Sequence, residues 1–169
     1  MLGAGSVRGA TGAQQFWDPN RTGGTSFGGS GQWDTTSAFW WTAAGGDTFW
    51  VDGSSAVFSG VAGNVTISGT RTASGLVFNT SGYNILSGSL ILGAPATIQV
   101  ATGVEQMGAV LSGSAGFTLQ GSGTTTLTLS GSNTYAGPTI VSGASACACQ
   151  RSRIPRASCE AATSFIDGG

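Results

Sequence analysis

A chain of 169 residues with 30 glycines, 40% apolar residues, 8% charged residues and a net charge of −1 is too apolar for a flexible linker. All its basic residues are arginine, with Arg151, Arg153 and Arg156 crowded near the C-terminus, so no basic stripe exists to track a phosphate backbone and nucleic acid is not an expected partner. With no histidine, His-based triads, HExxH zinc proteases and His-containing zinc fingers are excluded.

Residues 1–52 form a distinct opening zone, a lead-in or cap. Met1 to Ala13 has one arginine and no apolar h-region, so it does not read as a secretory signal; the expectation is an internal piece of a longer exported chain. Gly3-x-Gly5-x-x-x-Gly9 has no strand before it and no helical pattern after it, which argues against a dinucleotide loop. All five tryptophans follow, Trp17, Trp33, Trp40, Trp41 and Trp50, with Asp18, Asp34, Asp47 and Asp52 among them. Indoles at one end of a stacked structure cover its last apolar layer; exposed, the same five rings would stack on sugars, which makes them candidate glycan contacts. The four aspartates are not spaced to share one strand face as a glycosidase acid and base would, and Asp is an ordinary turn residue. Gly28-Gly29-Ser30-Gly31-Gln32-Trp33-Asp34 has the outline of a calcium nonapeptide, but Trp33 sits at a ligand position and the motif is not repeated.

From Gly53 to Gly143 only Arg71 and Glu105 are charged, and short runs recur: Ala56-Val57-Phe58, Val65-Thr66-Ile67, Leu76-Val77-Phe78, Leu90-Ile91-Leu92, Thr97-Ile98-Gln99-Val100. Each is too short for a helix and too regular for disorder, and Gly, Ser and Asn punctuate them. Leu90 to Ala96 falls far short of the roughly 20 residues of a membrane-spanning helix. The zone predicts an all-β solenoid of about four coils at roughly 20 to 30 residues each. Ser-Gly-Ser recurs around Gly88, Gly113 and Gly131, an imperfect period.

The clearest pattern lies between Gly121 and Thr139. Gly121, Gly123, Thr126, Leu127, Leu129, Gly131, Asn133, Thr134, Tyr135, Gly137 and Thr139 follow Gly-x-Gly-Thr-Leu-x-Leu-x-Gly-x-Asn-Thr-Tyr-x-Gly-x-Thr with one extra threonine. This stretch resembles the autotransporter-associated β-strand repeat of bacterial surface proteins, and Trp17-Asp18-Pro19-Asn20 and Gly31-Gln32-Trp33-Asp34 resemble the lead-in that precedes such repeats. The resemblance implies a right-handed parallel β-helix, a passenger segment of a protein displayed outside the cell and attached to the outer membrane through a barrel absent from this chain. It implies a structural or adhesive role toward a host-surface or glycan ligand, with no catalysis and no cofactor. Leu127, Leu129, Tyr135, Ile140 and Val141 are then core, Gly131, Asn133 and Gly137 set a corner, and Thr139 faces outward. The alternatives are a carbohydrate-binding module built on the tryptophans and, disfavoured by the scarcity of charge, a polysaccharide-degrading β-helix enzyme.

After Gly143 the alternation stops. Residues 144–169 hold Cys147, Cys149 and Cys159 and half of the arginines, and read either as a low-complexity tail or as a shifted reading frame. Three thiols at this spacing do not make a zinc ribbon. If the ladder ends near residue 143, its open edge is a template for self-association.

Overall fold

The structure, a computed structural model, describes residues 13–122, 124–143 and 145–149, the last stretch as backbone alone. Among these residues there is no helix. The first coil runs through β1 (Gln14–Trp17) and β2 (Gly31–Trp33) and carries an inserted hairpin of β3 (Trp40–Thr42) and β4 (Gly46–Thr48). After β5 (Ser55–Phe58) come two long strands bent around corners, β6 (Asn64–Phe78) and β7 (Asn84–Val100). Shorter strands complete the stack: β8 (Gly103–Met107), β9 (Val110–Ser112), β10 (Phe117–Gly121), β11 (Thr125–Leu129), β12 (Thr139–Ser142) and β13 (Ser145–Cys149).

Parallel pairing organises these strands into three ladders. The first stacks β1, β5, the end of β6, the end of β7, β10 and β12. The second stacks β2, the start of β6, the start of β7, β8, β11 and β13. The third joins the middle of β6, the middle of β7 and β9. Along the first ladder Ser55 pairs Gly75, Gly75 pairs Thr97, Thr97 pairs Thr118 and Thr118 pairs Ile140, so each coil takes 20 to 22 residues and about four complete turns are stacked. The fold is a parallel β-solenoid.

Period-2 alternation fills the bore. Ala56, Leu76, Ile98 and Leu119 form one buried column, and Val65, Ile85, Met107 and Leu129 another. Phe58 and Phe78 stack with ring centroids 5.0 Å apart. Each fully buried side chain of this kind contributes about 1.5–3 kcal/mol, while the backbone satisfies its own N–H and C=O groups between coils.

At the N-terminal end the parallel order stops. Strand β3 pairs antiparallel with β1, Trp17 opposite Trp40, and turns back as β4. Trp17, Trp33, Trp40 and Trp50 fill the end of the bore above Phe58, with ring centroids 4.5 to 5.1 Å apart between neighbouring indoles. The hairpin and its indoles are the cap-like segment.

The corners explain the irregular Ser-Gly-Ser spacing. Gly88 and Gly131 both lie where the second ladder turns into the third, whereas Gly113 lies at the next corner, after the third ladder. Gly88 has φ of 92°, and a Cβ there would collide with Ile67 of the preceding coil; one on Gly131 would strike the carbonyl of Ala109. One motif thus serves two corners.

The ladder expected to end near residue 143 runs on to Cys149. Backbone pairing joins β11 to β13 from Thr125 and Ser145 to Leu129 and Cys149. Ladder hydrogen bonds need no particular side chain, so strand pairing outlasts the apolar alternation. Cys159 and the three C-terminal arginines lie outside the described residues.

Candidate functional site

Four of the five indoles considered as glycan contacts are inside the protein. Trp17, Trp33 and Trp40 are 0% exposed and Trp50 3%, so none offers a free ring face to a sugar, and all four cover the end of the bore instead. Trp41 is half-buried and packs outside the cap against Phe16 and Phe27, at 5.8 and 5.6 Å between ring centroids. Asp18 and Asp34 hold turns, and Asp52 ties its coil to the next. Asp18 accepts hydrogen bonds from the backbone N–H and hydroxyl of Thr22, Asp34 from the N–H groups of Thr36 and Ser37, and Asp52 from Trp50 Nε1 and the N–H of Thr72 while facing Arg71 at 3.8 Å. Asp47 sits opposite Trp41 on the hairpin. Among the described residues no group of three or more His, Cys, Asp or Glu side chains could hold a metal ion.

Two features escaped the sequence reading. Glu105 alternates into the bore with no exposed surface, and its carboxylate accepts hydrogen bonds from the backbone N–H groups of Tyr83 at 2.7 Å and Gly82 at 3.2 Å in the coil before. Burial pushes its pKa up to about 7, against the lowering effect of those two donors. Burial, and then the charge of Glu105, also raises the Tyr83 phenol, whose hydroxyl donates to the carbonyl of Ser59 or of Val61. The only sign in the sequence was an isolated acid within a nearly uncharged zone. The second feature is a groove of about 290 Å³ on the outward face of the first ladder. It gathers Gln14, Ser55, Gly75, Val77 and Gln99, which belong to four successive coils and are far apart in sequence.

The repeat signature is placed as follows. Gly121 ends β10, and Gly123 is not among the described residues. Leu127 and Leu129 are buried in β11. Asn133 Oδ1 accepts a 2.8 Å hydrogen bond from the buried N–H of Leu111, and the N–H of Thr134 donates to the Leu111 carbonyl at 2.8 Å. Tyr135 is buried against Phe117, its hydroxyl 2.8 Å from Thr139 Oγ1, and Gly137 passes directly against Gly116. Two orientations differ from expectation: Ile140 is 54% exposed, and Thr139 stacks in register with buried Phe117. Neighbours in a strand face opposite sides, so Ile140 and Val141 cannot both point inward.

Similarity agrees with this architecture. The "Adhesin BmaC autotransporter" of Brucella suis biovar 1 (strain 1330) is 36% identical over 148 residues, covering 79% of this chain. This chain is an autotransporter-type β-strand repeat segment. It spans 4% of that relative's length. No family profile matches the chain, and no solved structure matches it. In this autotransporter-type segment the signature residues lock one coil onto the next, with Asn133 reaching back to the coil before it as Glu105 does. Among the described residues no helix is long and apolar enough to cross a membrane, which says nothing of a β-barrel.

Proposed function

We propose that this segment is part of the adhesive passenger of an autotransporter, displayed outside the cell and attached to the outer membrane by a barrel elsewhere in its parent. The similarity to an autotransporter adhesin carries the reading. The fold supports it: a stacked ladder with self-satisfied backbone bonds and a nearly uncharged exterior makes an extended support that presents surface rather than a pocket that turns over substrate. A non-enzymatic role fits the similarity to an adhesin, and Asp18, Asp34 and Asp52 are engaged by backbone N–H groups while Glu105 is sealed in the bore. Beads coated with the full chain should adhere to cultured host cells above albumin-coated beads. Binding no greater than albumin's, for the chain and for a longer piece of its parent alike, would refute the adhesive role.

A further inference from the structure

We propose that the outward groove over Gly75 is a binding site for an uncharged saccharide. The inference names a ligand class for the adhesive reading and rests on it. The groove exists because a side chain is missing: Gly75 lies in register between Ser55 and Thr97 on the outward face, so the row of side chains is interrupted there. A Cβ at Gly75 would approach the Thr97 carbonyl to 2.8 Å and stand 3.8 Å from Ser55 Oγ. That hydroxyl is the second observation. Ser55 shares the outward face with Val57, is 1% exposed, lines the groove, and its Oγ has no hydrogen-bond partner. A buried hydroxyl without a partner costs free energy that a ligand hydroxyl would recover.

The lining selects the ligand's chemistry. Val57 and Val77 give an apolar floor beside the ring of Phe16, and Gln14, Asn79 and Gln99 bring amides that both donate and accept. A pyranose presents the matching surface, an apolar C–H face edged by hydroxyls that donate and accept. Among the described residues no formally charged side chain lines the groove, so sulfated or sialylated sugars find no counter-ion there. The volume, about 290 Å³, lies near the lower end of small-ligand pockets, enough for roughly one or two sugar rings.

The test is a titration of the ¹⁵N-labelled full chain with maltotriose, cellotriose, mannotriose and N-acetyllactosamine, alongside sialyllactose and an acetylated, amidated Val-Thr-Val-Thr-Val peptide. At least one uncharged sugar should shift the side-chain amide resonances of Gln14, Asn79 and Gln99 with a dissociation constant on the order of 1 mM. Ser55→Ala and Gln99→Ala should each weaken it about three- to tenfold, while Gln32→Ala on the second ladder leaves it unchanged; circular dichroism reports whether each variant folds. No shift with any uncharged sugar, shifts from the peptide alone, or binding indifferent to Gln99→Ala in a folded chain would overturn the proposal. Beads that adhere to host cells while the chain ignores all four sugars would sink the groove and leave the adhesive role standing. Sugar binding without cell adhesion would do the reverse.

Discussion

The carboxylate of Glu105 accepts a 2.7 Å hydrogen bond from the backbone N–H of Tyr83, one coil earlier, inside the bore where neither residue is exposed. Asn133 repeats the device with Leu111, again across one coil. Tyr83 lies just before β7 and Leu111 within β9, and in both places a side chain of the following coil supplies the acceptor for a backbone N–H. The two solutions differ in charge. An amide satisfies the donor at any pH, whereas a carboxylate must be either ionised in an apolar bore or protonated.

The pH dependence follows from that difference. The folded pKa of Glu105 is raised by burial to about 7 from an ordinary 4.5, so the folded chain holds a proton that the unfolded chain has already lost between these values. Its contribution to stability is complete below about pH 4.5 and is lost as pH rises through about 7. Thermal unfolding followed by circular dichroism should show the melting temperature falling across that window, and Glu105→Gln should flatten the slope. Asp34 acts in a separate range. Burial raises its pKa, but hydrogen bonds from Ser37, Thr36 and Gln32 outweigh that and hold it below 3.8, so its contribution is lost only as pH falls further. A wild-type melting temperature that is flat or rises from pH 5 to 8 would contradict the Glu105 assignment.

Closure of the bore by indoles predicts a large loss on truncation. Trp33 is 0% exposed and lies 4.9 Å from Trp40 and 4.7 Å from Trp50 between ring centroids. Trp33→Ala should cost about 3–5 kcal/mol, the scale for deleting a buried large aromatic. The wild-type emission should be blue-shifted and resist acrylamide. Denaturant melts of the two proteins measure the difference, and a loss below about 1 kcal/mol would mean that the cap is loosely packed.

Much of this fold was legible in the sequence because the interior obeys a period of two. Leu76, Ile98 and Leu119 announce a buried column by their alternation alone, and Leu127 and Leu129 by the repeat pattern. Orientation at the C-terminal strand was not legible, since Thr139, Ile140 and Val141 permit either face until the register with Phe117 is known. The groove was hidden for the same reason: Ser55, Gly75 and Thr97 are separated by a full coil each and meet only through cross-coil pairing. The extension of the ladder to Cys149 could not be read from side chains, because backbone groups make it.

Asn133 should be more sensitive to loss of its acceptor than to loss of its amide donors. Asn133→Ala strands the buried N–H of Leu111 and should cost about 1–3 kcal/mol. Asn133→Asp keeps an acceptor oxygen within reach and should retain much of the stability while its buried carboxyl is protonated, losing it as the carboxyl ionises. Urea titrations at pH 4 would rank the three chains. Equal losses in both variants would show that the hydrogen bond to Leu111 is not what holds this corner.

The last strand offers two adjacent positions with opposite expected responses. Thr139 stacks on Phe117 and shares a 2.8 Å hydrogen bond with the Tyr135 hydroxyl, so Thr139→Lys places a charge where an apolar column continues. It should destabilise by several kcal/mol, on the scale of an unpaired charge forced against the interior. Ile140 pairs with outward Thr118 and is 54% exposed, so Ile140→Lys should change stability by less than about 0.5 kcal/mol. It also puts a charge on an apolar surface beside Pro95 and Pro138, where the described residues have none. Such a charge opposes association through this face. Sedimentation velocity over a range of concentrations should therefore show less self-association for Ile140→Lys than for the parent chain, under reducing conditions that exclude disulfides through Cys147, Cys149 and Cys159. If Thr139→Lys is the tolerated change and Ile140→Lys the disruptive one, the register between β10 and β12 is shifted by one residue, because that is the displacement that exchanges the two faces.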